Sequence, residues 1–291
     1  MLAPMSLHET AYAKLNLALH VRAREPDGYH RIETLFAFVE DGDWLSAEPG
    51  DDISLSVTGR FAEAIPAGSD NLVLRAANEL RRRCGVAMGV ALTLDKSLPV
   101  AAGLGGGSAD AAAALRLLTR FWGIFPPAGL LRDIAGRLGA DVPACLLSRP
   151  QFGSGRGEIL TILDDPSLRG ISALLVNPGI PASTGEVFAH WDGVDRGPLE
   201  DCSIDGLARH GRNDLEQAAQ AIAPKIGDIL TALAATDGAK LVRMSGSGAT
   251  CFALYGNEQD RDRAADLIAA GNPSWWKLAT RLRTVDRDDE I

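Results

Sequence analysis

The chain has 291 residues, 46% of them hydrophobic and 23% charged, the balance of a globular protein with room for two domains. Its 38 acidic against 29 basic residues leave a formal net charge of −9, so the overall basic field of a nucleic-acid binder is absent. No apolar run approaches the ~20 residues of a membrane span, and MLAPMSLHET lacks the basic and apolar regions of a secretion signal. The four cysteines lie far apart, with no Cys-x-x-Cys and no ligand-like histidine spacing. Reduced thiols, no zinc site, no membrane contact and a cytoplasmic location are the expectations.

Residues 11–21, AYAKLNLALHV, alternate strictly. Leu15, Leu17, Leu19 and Val21 share one face, and Lys14, Asn16, Ala18 and His20 the other. The pattern predicts a half-buried strand whose polar face carries an ammonium beside an amide. PDGYH (26–30) supplies a turn at Asp27-Gly28, and strand patterns return at 33–39 and 52–57. A helix is predicted from Ser69-Asp70, either of which can cap it, with Leu72, Ala76 and Leu80 on one face. Arg81-Arg82-Arg83 would close it, where cations complement the helix dipole. GVALTLDK (89–96) alternates as a strand and runs into PVAAGLGGGSADAAAAL (99–115).

A second helix, about 127–138, should end at Gly139, with Asp141 and Pro143 as the cap and first turn of the next. ISALLVNPG (171–179) reads as a buried strand, and 191–211 as turn-rich. NDLEQAAQAI opens a helix with Asn213 as its cap, and KLVRMSGSGATCFALY (240–255) is two strands joined by a small loop. The acidic tail TVDRDDEI is expected to fray. Strands and helices interleave without a steady β-α-β rhythm, which predicts an α+β protein.

The stretch from Gly103 to Ser108, GLGGGS, carries the chemistry. N–H groups at a helix start are unpaired and partly positive, so an anion is favoured there, and glycine lets backbone approach it closely. Ser108 sits where a capping hydroxyl would, and it can equally touch a phosphate or its metal. The common phosphate-loop patterns do not fit. No lysine follows as in a Walker A loop, and GxGxxG fails at its last position. From this stretch alone, a phosphate loop and a structural turn both stay open.

The Pro-containing, Gly/Ser-rich loop opening a helix resembles the central motif of the GHMP small-molecule kinases. The likeness sharpens over AKLNLALHVRAREPDGYH (13–30), TLF (34–36), DNL (70–72), GLGGGSADAA (103–112), LGADVP (138–143), GEIL (157–160) and SGSGATCF (245–252). In that order these motifs resemble the 4-diphosphocytidyl-2-C-methyl-D-erythritol kinase family, and they cover most of the chain. The resemblance implies a two-domain GHMP fold with its active site in the inter-domain cleft. An ATP-binding catalytic domain would span residues 1–160, and 161–291 would contribute to the substrate site. The implied reaction is phosphorylation by ATP of the 2-hydroxyl of a cytidyl-diphosphate substrate, with Mg2+ arriving on the nucleotide. A monomer or homodimer is expected.

The resemblance also assigns roles. Pro99, Gly103, Leu104, Gly105, Gly106, Gly107 and Ser108 match the triphosphate cradle, and Ala109 stands where the family usually has a second serine. Asp141, by itself a plain helix cap, matches the base for the substrate hydroxyl. Lys14, by itself a solvated strand lysine, matches the lysine held near that carboxylate. Asn16 shares its strand face, while Tyr29, His30, Phe36, Thr184 and Phe188 match the substrate side, though each phenylalanine has core packing as its bland reading. Lys96 matches a position near adenine and ribose, against the reading of an exposed lysine at a strand end. Gly246, Ser247 and Gly248 match an active-site loop, and the glycines of FGSGRGEIL (152–160) read as a turn in preference to a second phosphate site. Two alternatives remain. A kinase for another small alcohol, homoserine or a mevalonate derivative, would have no use for the DGYH aromatic. A non-catalytic nucleotide-binding regulator would be expected to lack Asp141 or Lys14.

Overall fold

The computed structural model describes residues 6–65, 68 and 70–284. In chain order the strands and helices begin with β1 (Leu7–Arg24), β2 (His30–Glu48), β3 (Ile53–Thr58), α1 (Leu72–Cys84), β4 (Val90–Asp95) and α2 (Gly106–Phe121). Next come α3 (Leu130–Leu138), α4 (Val142–Leu147), β5 (Gln151–Ser154), β6 (Ile159–Ile162), β7 (Ser172–Asn177) and α5 (Thr184–Ala189). The remainder is α6 (Ile204–Arg209), α7 (Glu216–Ile222), α8 (Lys225–Ala234), β8 (Ala239–Met244), β9 (Cys251–Tyr255), α9 (Glu258–Gly271) and β10 (Trp276–Arg281). Strands fall into two sheets with helices interspersed, the α+β class that the sequence predicts.

Two compact units divide the chain, and neither is continuous. The first comprises the described parts of Met1–Ala13, Asp41–Val100 and Gly105–Ser148; the second comprises the described parts of Lys14–Glu40, Ala101–Leu104 and Arg149–Ile291. A single boundary near residue 160 divides the chain in sequence order; compactness divides it differently, because β1 and β2 each contribute residues to both units.

In the first unit β3 and β4 pair in parallel, Ile53 opposite Val90 through Thr58 opposite Asp95, joined by α1 as a parallel pair requires. The end of β2 pairs antiparallel with β4. Helix α1 buries Val73, Ala76, Ala77 and Leu80. Its cap is Asn71, whose Oδ1 accepts from the Val73 N–H at 2.9 Å. Asp70 is therefore not the cap, since Asn71 holds the extended conformation a cap needs; Ser69 lies outside the described residues. The three closing arginines pair with Asp52, Glu79 and Asp133.

Arg116, on α2, ties this unit together. It donates from Nε to Glu9 at 2.8 Å, from Nη1 to the carbonyls of Cys145 (2.8 Å) and Leu146 (3.2 Å), and from Nη2 to that of Thr10 (3.0 Å). The first two carbonyls belong to the last turn of α4, where helical donors run out. α2 and α4 are thus fixed by one guanidinium.

In the second unit four antiparallel strands take the order β10-β7-β9-β8. The predicted strand ISALLVNPG and the predicted pair 240–255 are β7 and β8–β9. β7 is buried at every residue because both neighbours and both faces are occupied. The core includes Leu174, Val176, Leu215, Ile226, Ile229, Leu233 and Tyr255. The β1–β2 turn forms as DGYH predicts, with Gly28 at φ 89°. β5 and β6 form a hairpin through Gly155 and Gly157, which serve the turn, while Gly153 lies within β5.

Two expectations need correction. β1 is buried on both faces, not half-buried: Lys14, Asn16 and His20 are as enclosed as the leucines, because each finds a polar partner inside. Asn213 does not cap α7, whose N-cap is Leu215. Its side chain accepts from the Leu215 N–H and donates to the carbonyls of Met244 and Gly246. The tail from residue 285 lies outside the described residues. All four cysteines are free thiols, and no helix among the described residues is long and apolar enough to cross a membrane.

Replacing Arg116 with Met removes donors from three main-chain carbonyls at once. The expected loss of stability is about 1–3 kcal/mol, read as a lower urea midpoint.

Candidate active site

The backbone between β4 and α2 alternates in hand. φ is positive at Ala101 (52°), Gly103 (76°) and Gly105 (63°), and at neither residue between them. Such alternation directs successive N–H groups into one concavity, the geometry that holds an anion. The carbonyls confirm the direction. That of Ala102 accepts from the Thr250 N–H (3.1 Å), that of Gly103 from Ser245 Oγ (2.8 Å), and that of Leu104 from the Lys14 N–H (2.9 Å). In a trans peptide the N–H points opposite to the C=O, so the N–H groups of Gly103, Leu104 and Gly105 face away from these anchors. Helix α2 then begins with no side-chain cap, leaving its first-turn N–H groups without intrahelical acceptors. Ser108 was expected at the cap; Gly105 takes that position because its left-handed φ turns the chain into the helix, and Ser108 falls inside the first turn, half-buried. Gly107 is exposed, and Pro99 and Leu104 are buried.

Glycine is required at two points of close approach. A Cβ on Gly103 would meet the Ser245 carbonyl at 2.2 Å, and one on Gly248 would meet Met244 Sδ at 2.7 Å. The SGSG loop is itself secured by Asn213, by Asn16 N–H donating to Ser245 Oγ (3.2 Å), and by a hydroxyl pair between Ser247 and Thr184 (2.9 Å). Gly246 lies against Asn16, 3.2 Å from a Cβ position to Oδ1.

Lys14 lies in the second unit on the enclosed face of β1. Its Nζ donates to Asn16 Oδ1 at 2.7 Å; Asn16 Nδ2 donates to Thr34 Oγ1 at 2.8 Å; and Thr34 donates to the Ala18 carbonyl at 2.6 Å. An ammonium only donates, so the amide has a single sensible orientation and the chain runs one way. The ammonium also lies 5.3 Å from the Phe36 ring centre, within cation–π range. Phe36 is 1% exposed, so its ring offers no open face for a base.

In the first unit Lys96 is buried, not the exposed strand-end lysine. It bridges Asp43 and Asp110, the latter at 2.7 Å, because two carboxylates repay the burial of one ammonium. Asp43 Oδ1 also accepts from the N–H groups of Ser97 and Leu98. A Cβ on Gly106 would stand 3.1 Å from Lys96 Nζ, so the cluster lies directly under the start of α2. Burial opposes the ammonium, yet the carboxylates outweigh it and hold the Lys96 pKa up. Burial pushes Asp110 up to about 7, against the pull of Lys96, and its Oδ1 has no partner.

Asp141 stands at the N-cap of α4, half-buried, with Pro143 in the first turn. Its side chain makes no capping bond to the helix. The position expected of a cap is there and the capping use is not.

Aromatic side chains gather in the second unit. The His30 ring lies 5.0 Å from Phe188 and 5.6 Å from Trp191. Burial, then Arg24, lowers its pKa, and Arg24 Nε donates to His30 Nε2 at 3.1 Å, which places the ring proton on Nδ1. Tyr29 is 59% exposed. A cavity of about 460 Å³ opens between Arg22–Arg24 and Trp191–Gly193.

Family models for the GHMP kinases N terminal domain and the GHMP kinases C terminal match residues 71–149 and 203–273. A 4-diphosphocytidyl-2-C-methyl-D-erythritol kinase from Rhizorhabdus wittichii is 54% identical over 283 residues, 96% of each chain. The chain belongs to the GHMP kinase family. Another relative with that enzyme name, from Novosphingobium aromaticivorans, is 53% identical over 96% of this chain and 94% of its own. A crystal structure of a 4-(cytidine 5'-diphospho)-2C-methyl-D-erythritol kinase superposes with a TM-score of 0.80 at 34% identity, covering 96% of this chain and 100% of that one. Homoserine kinase from Cytophaga hutchinsonii shares the fold, with a TM-score of 0.73 at 16% identity over 95% of each chain.

The protein is therefore a kinase, a phosphotransferase of this family. Sequence reasoning missed four of the residues that hold this GHMP kinase's loops: Asp43, Asp110, Ser245 and Thr34. Thr34, Asp110 and Ser245 carried a signal, as members of the TLF, GLGGGSADAA and SGSG motifs; Asp43 is remote in sequence from its partners.

Gly103→Ala is expected to cost about 1–3 kcal/mol of stability, since φ there is 76° and the nearest neighbour is backbone and cannot yield; a lower urea midpoint reads it. For Asp110 the folded-state pKa lies above the unfolded one, so the folded protein holds the extra proton between about pH 4 and 7. Its contribution to stability therefore falls as pH rises through that window and is level above it. Asp110→Asn lacks this slope, and thermal melts of both proteins from pH 4 to 8 should diverge in the variant's favour up to about pH 7.

Proposed function

We propose that this kinase transfers the γ-phosphoryl group of ATP to the 2-hydroxyl of 4-diphosphocytidyl-2-C-methyl-D-erythritol, in non-mevalonate isoprenoid precursor synthesis. The observation that carries the reading is the likeness, over nearly the whole chain and above 50% identity, to relatives bearing that enzyme name. The enclosed His30 ring beside Phe188 and the exposed Tyr29 ring supply chemistry suited to a nucleobase: a hydrogen-bonding edge and aromatic faces.

ATP would supply the phosphoryl group, and phosphoryl transfer asks the protein for positioning and charge neutralisation more than for covalent help. The outward N–H groups of Gly103–Gly105 and the first turn of α2 are assigned to the phosphates. Asp141, at the N-cap position of α4 and within the LGADVP motif, is assigned as the base that takes the proton of the substrate hydroxyl. Lys14 is assigned the positive charge beside the reacting groups, its stem fixed through Asn16 and Thr34. Thr184 and Ser247, joined by their hydroxyls, are assigned to substrate contact. Among the described residues no three His, Cys, Asp or Glu side chains are gathered to hold a metal. Mg2+ is assigned to ATP, where phosphate oxygens and Ser108 would hold it.

ADP release with Mg-ATP tests the reading against three acceptors: the cytidyl substrate, homoserine and mevalonate. Turnover is expected with the cytidyl compound alone; turnover with homoserine would remove the substrate assignment. Asp141→Asn should lower kcat by about 10²–10⁴-fold, the usual worth of a general base, with little change in either KM. Lys14→Met should also lower kcat, and a change confined to the KM for ATP would refute its assigned role.

A further inference from the structure

The GRG turn between β5 and β6 has a feature that the kinase reading does not use. Arg156 places its guanidinium 4.2 Å from the centre of the Tyr29 ring. That guanidinium is held from its edge by Glu25, at 2.7 Å from Nη2 and 3.1 Å from Nε, and by Asp27. Asp27 in turn accepts from the Tyr29 N–H at 3.1 Å, and that bond and Arg156 keep its carboxyl below the usual range. The turn is braced on both sides. The Gly155 carbonyl accepts from the Ile32 N–H (2.7 Å), and the Arg156 N–H donates to Glu158 (2.6 Å).

Ion pairs this close to solvent contribute little to stability. What they do fix is the orientation of an aromatic ring that is still 59% exposed. An exposed tyrosine would otherwise turn freely about its side-chain bonds and lose that freedom on binding a ligand. The next residue, His30, is aimed at Phe188 and Trp191. The guanidinium is itself flanked by two carboxylates, which leaves the group net negative and unsuited to gripping a diphosphate.

We infer that Arg156 is a positioning residue for the nucleobase: it covers one face of Tyr29 and presents the other as a fixed stacking platform. This rests on the functional reading above, in which the substrate carries cytosine.

The test compares wild type, Arg156→Met, Arg156→Lys, Tyr29→Leu and the Tyr29→Leu/Arg156→Met double variant, using CDP and inorganic pyrophosphate as competitive probes. Arg156→Met should raise the inhibition constant of CDP and the KM of the cytidyl substrate about five- to tenfold, part of the worth of one stacked base. The KM for ATP, kcat and inhibition by pyrophosphate should stay within about twofold of wild type, with Lys partly restoring CDP binding through its cation. In the Tyr29→Leu background the Arg156 change should have no further effect on CDP. An equal rise for pyrophosphate would overturn the inference in favour of a direct anion contact. Additive effects in the double variant, or a parallel loss for ATP, would reduce Arg156 to general structure. Should Arg156→Met fail to fold, the Lys variant and Tyr29→Leu still decide through the CDP-to-pyrophosphate ratio. A wild type indifferent to CDP would sink the functional reading itself; a CDP-sensitive wild type with an indifferent Arg156→Met sinks only the platform.

Discussion

Three consecutive carbonyls, those of Ala102, Gly103 and Leu104, are each bound by a donor from elsewhere in the second unit. The geometry of the peptide plane then decides where the intervening N–H groups point. A glycine-rich loop is usually described by its glycines, yet here the glycines are permissive and the carbonyl anchors are directive. Without donors from β1 and the SGSG loop, the same glycines would sample many backbone states and present no fixed set of donors. The requirement extends outward: Ser245 must face Gly103, so the SGSG loop must be held, and Asn213 and the Thr184–Ser247 pair hold it.

Two buried lysines show two ways of enclosing a charge. Lys14 meets a neutral amide and an aromatic face, which orient it. Lys96 meets two carboxylates, which cancel its charge locally and make it a structural strut under the start of α2. The second arrangement suits a group that shapes a backbone, and it moves an unusual ionisation onto Asp110, where burial favours the proton.

Local pattern was legible where local physics decided the outcome. Alternation located β1 and β4, the small Gly/Ser loop located the β8–β9 pair, and the DG turn located the β1–β2 reversal, since all depend on neighbours a few residues apart. Caps were less legible. Ser108, Asp70 and Asn213 are all good capping residues by type, but Gly105, Asn71 and Leu215 occupy the cap positions. Asn213 was drawn to the carbonyls of Met244 and Gly246, partners about thirty residues away in the chain. Phe36 and Lys96 illustrate the same limit: nothing in their immediate sequence announces that one is sealed under Lys14 and the other between Asp43 and Asp110.

By itself the sequence determined the class of fold, the order of most strands and helices, and the motif series that marks a GHMP kinase. Those features are written in hydrophobic period, turn chemistry and motif spacing, all of which are properties of short segments. Tertiary structure decided which way the glycine loop faces, which polar groups are enclosed, and how the Tyr29 ring is held. Each of those depends on a donor or a charge brought from a distant part of the chain, and a hydrogen bond exists only where two groups actually meet.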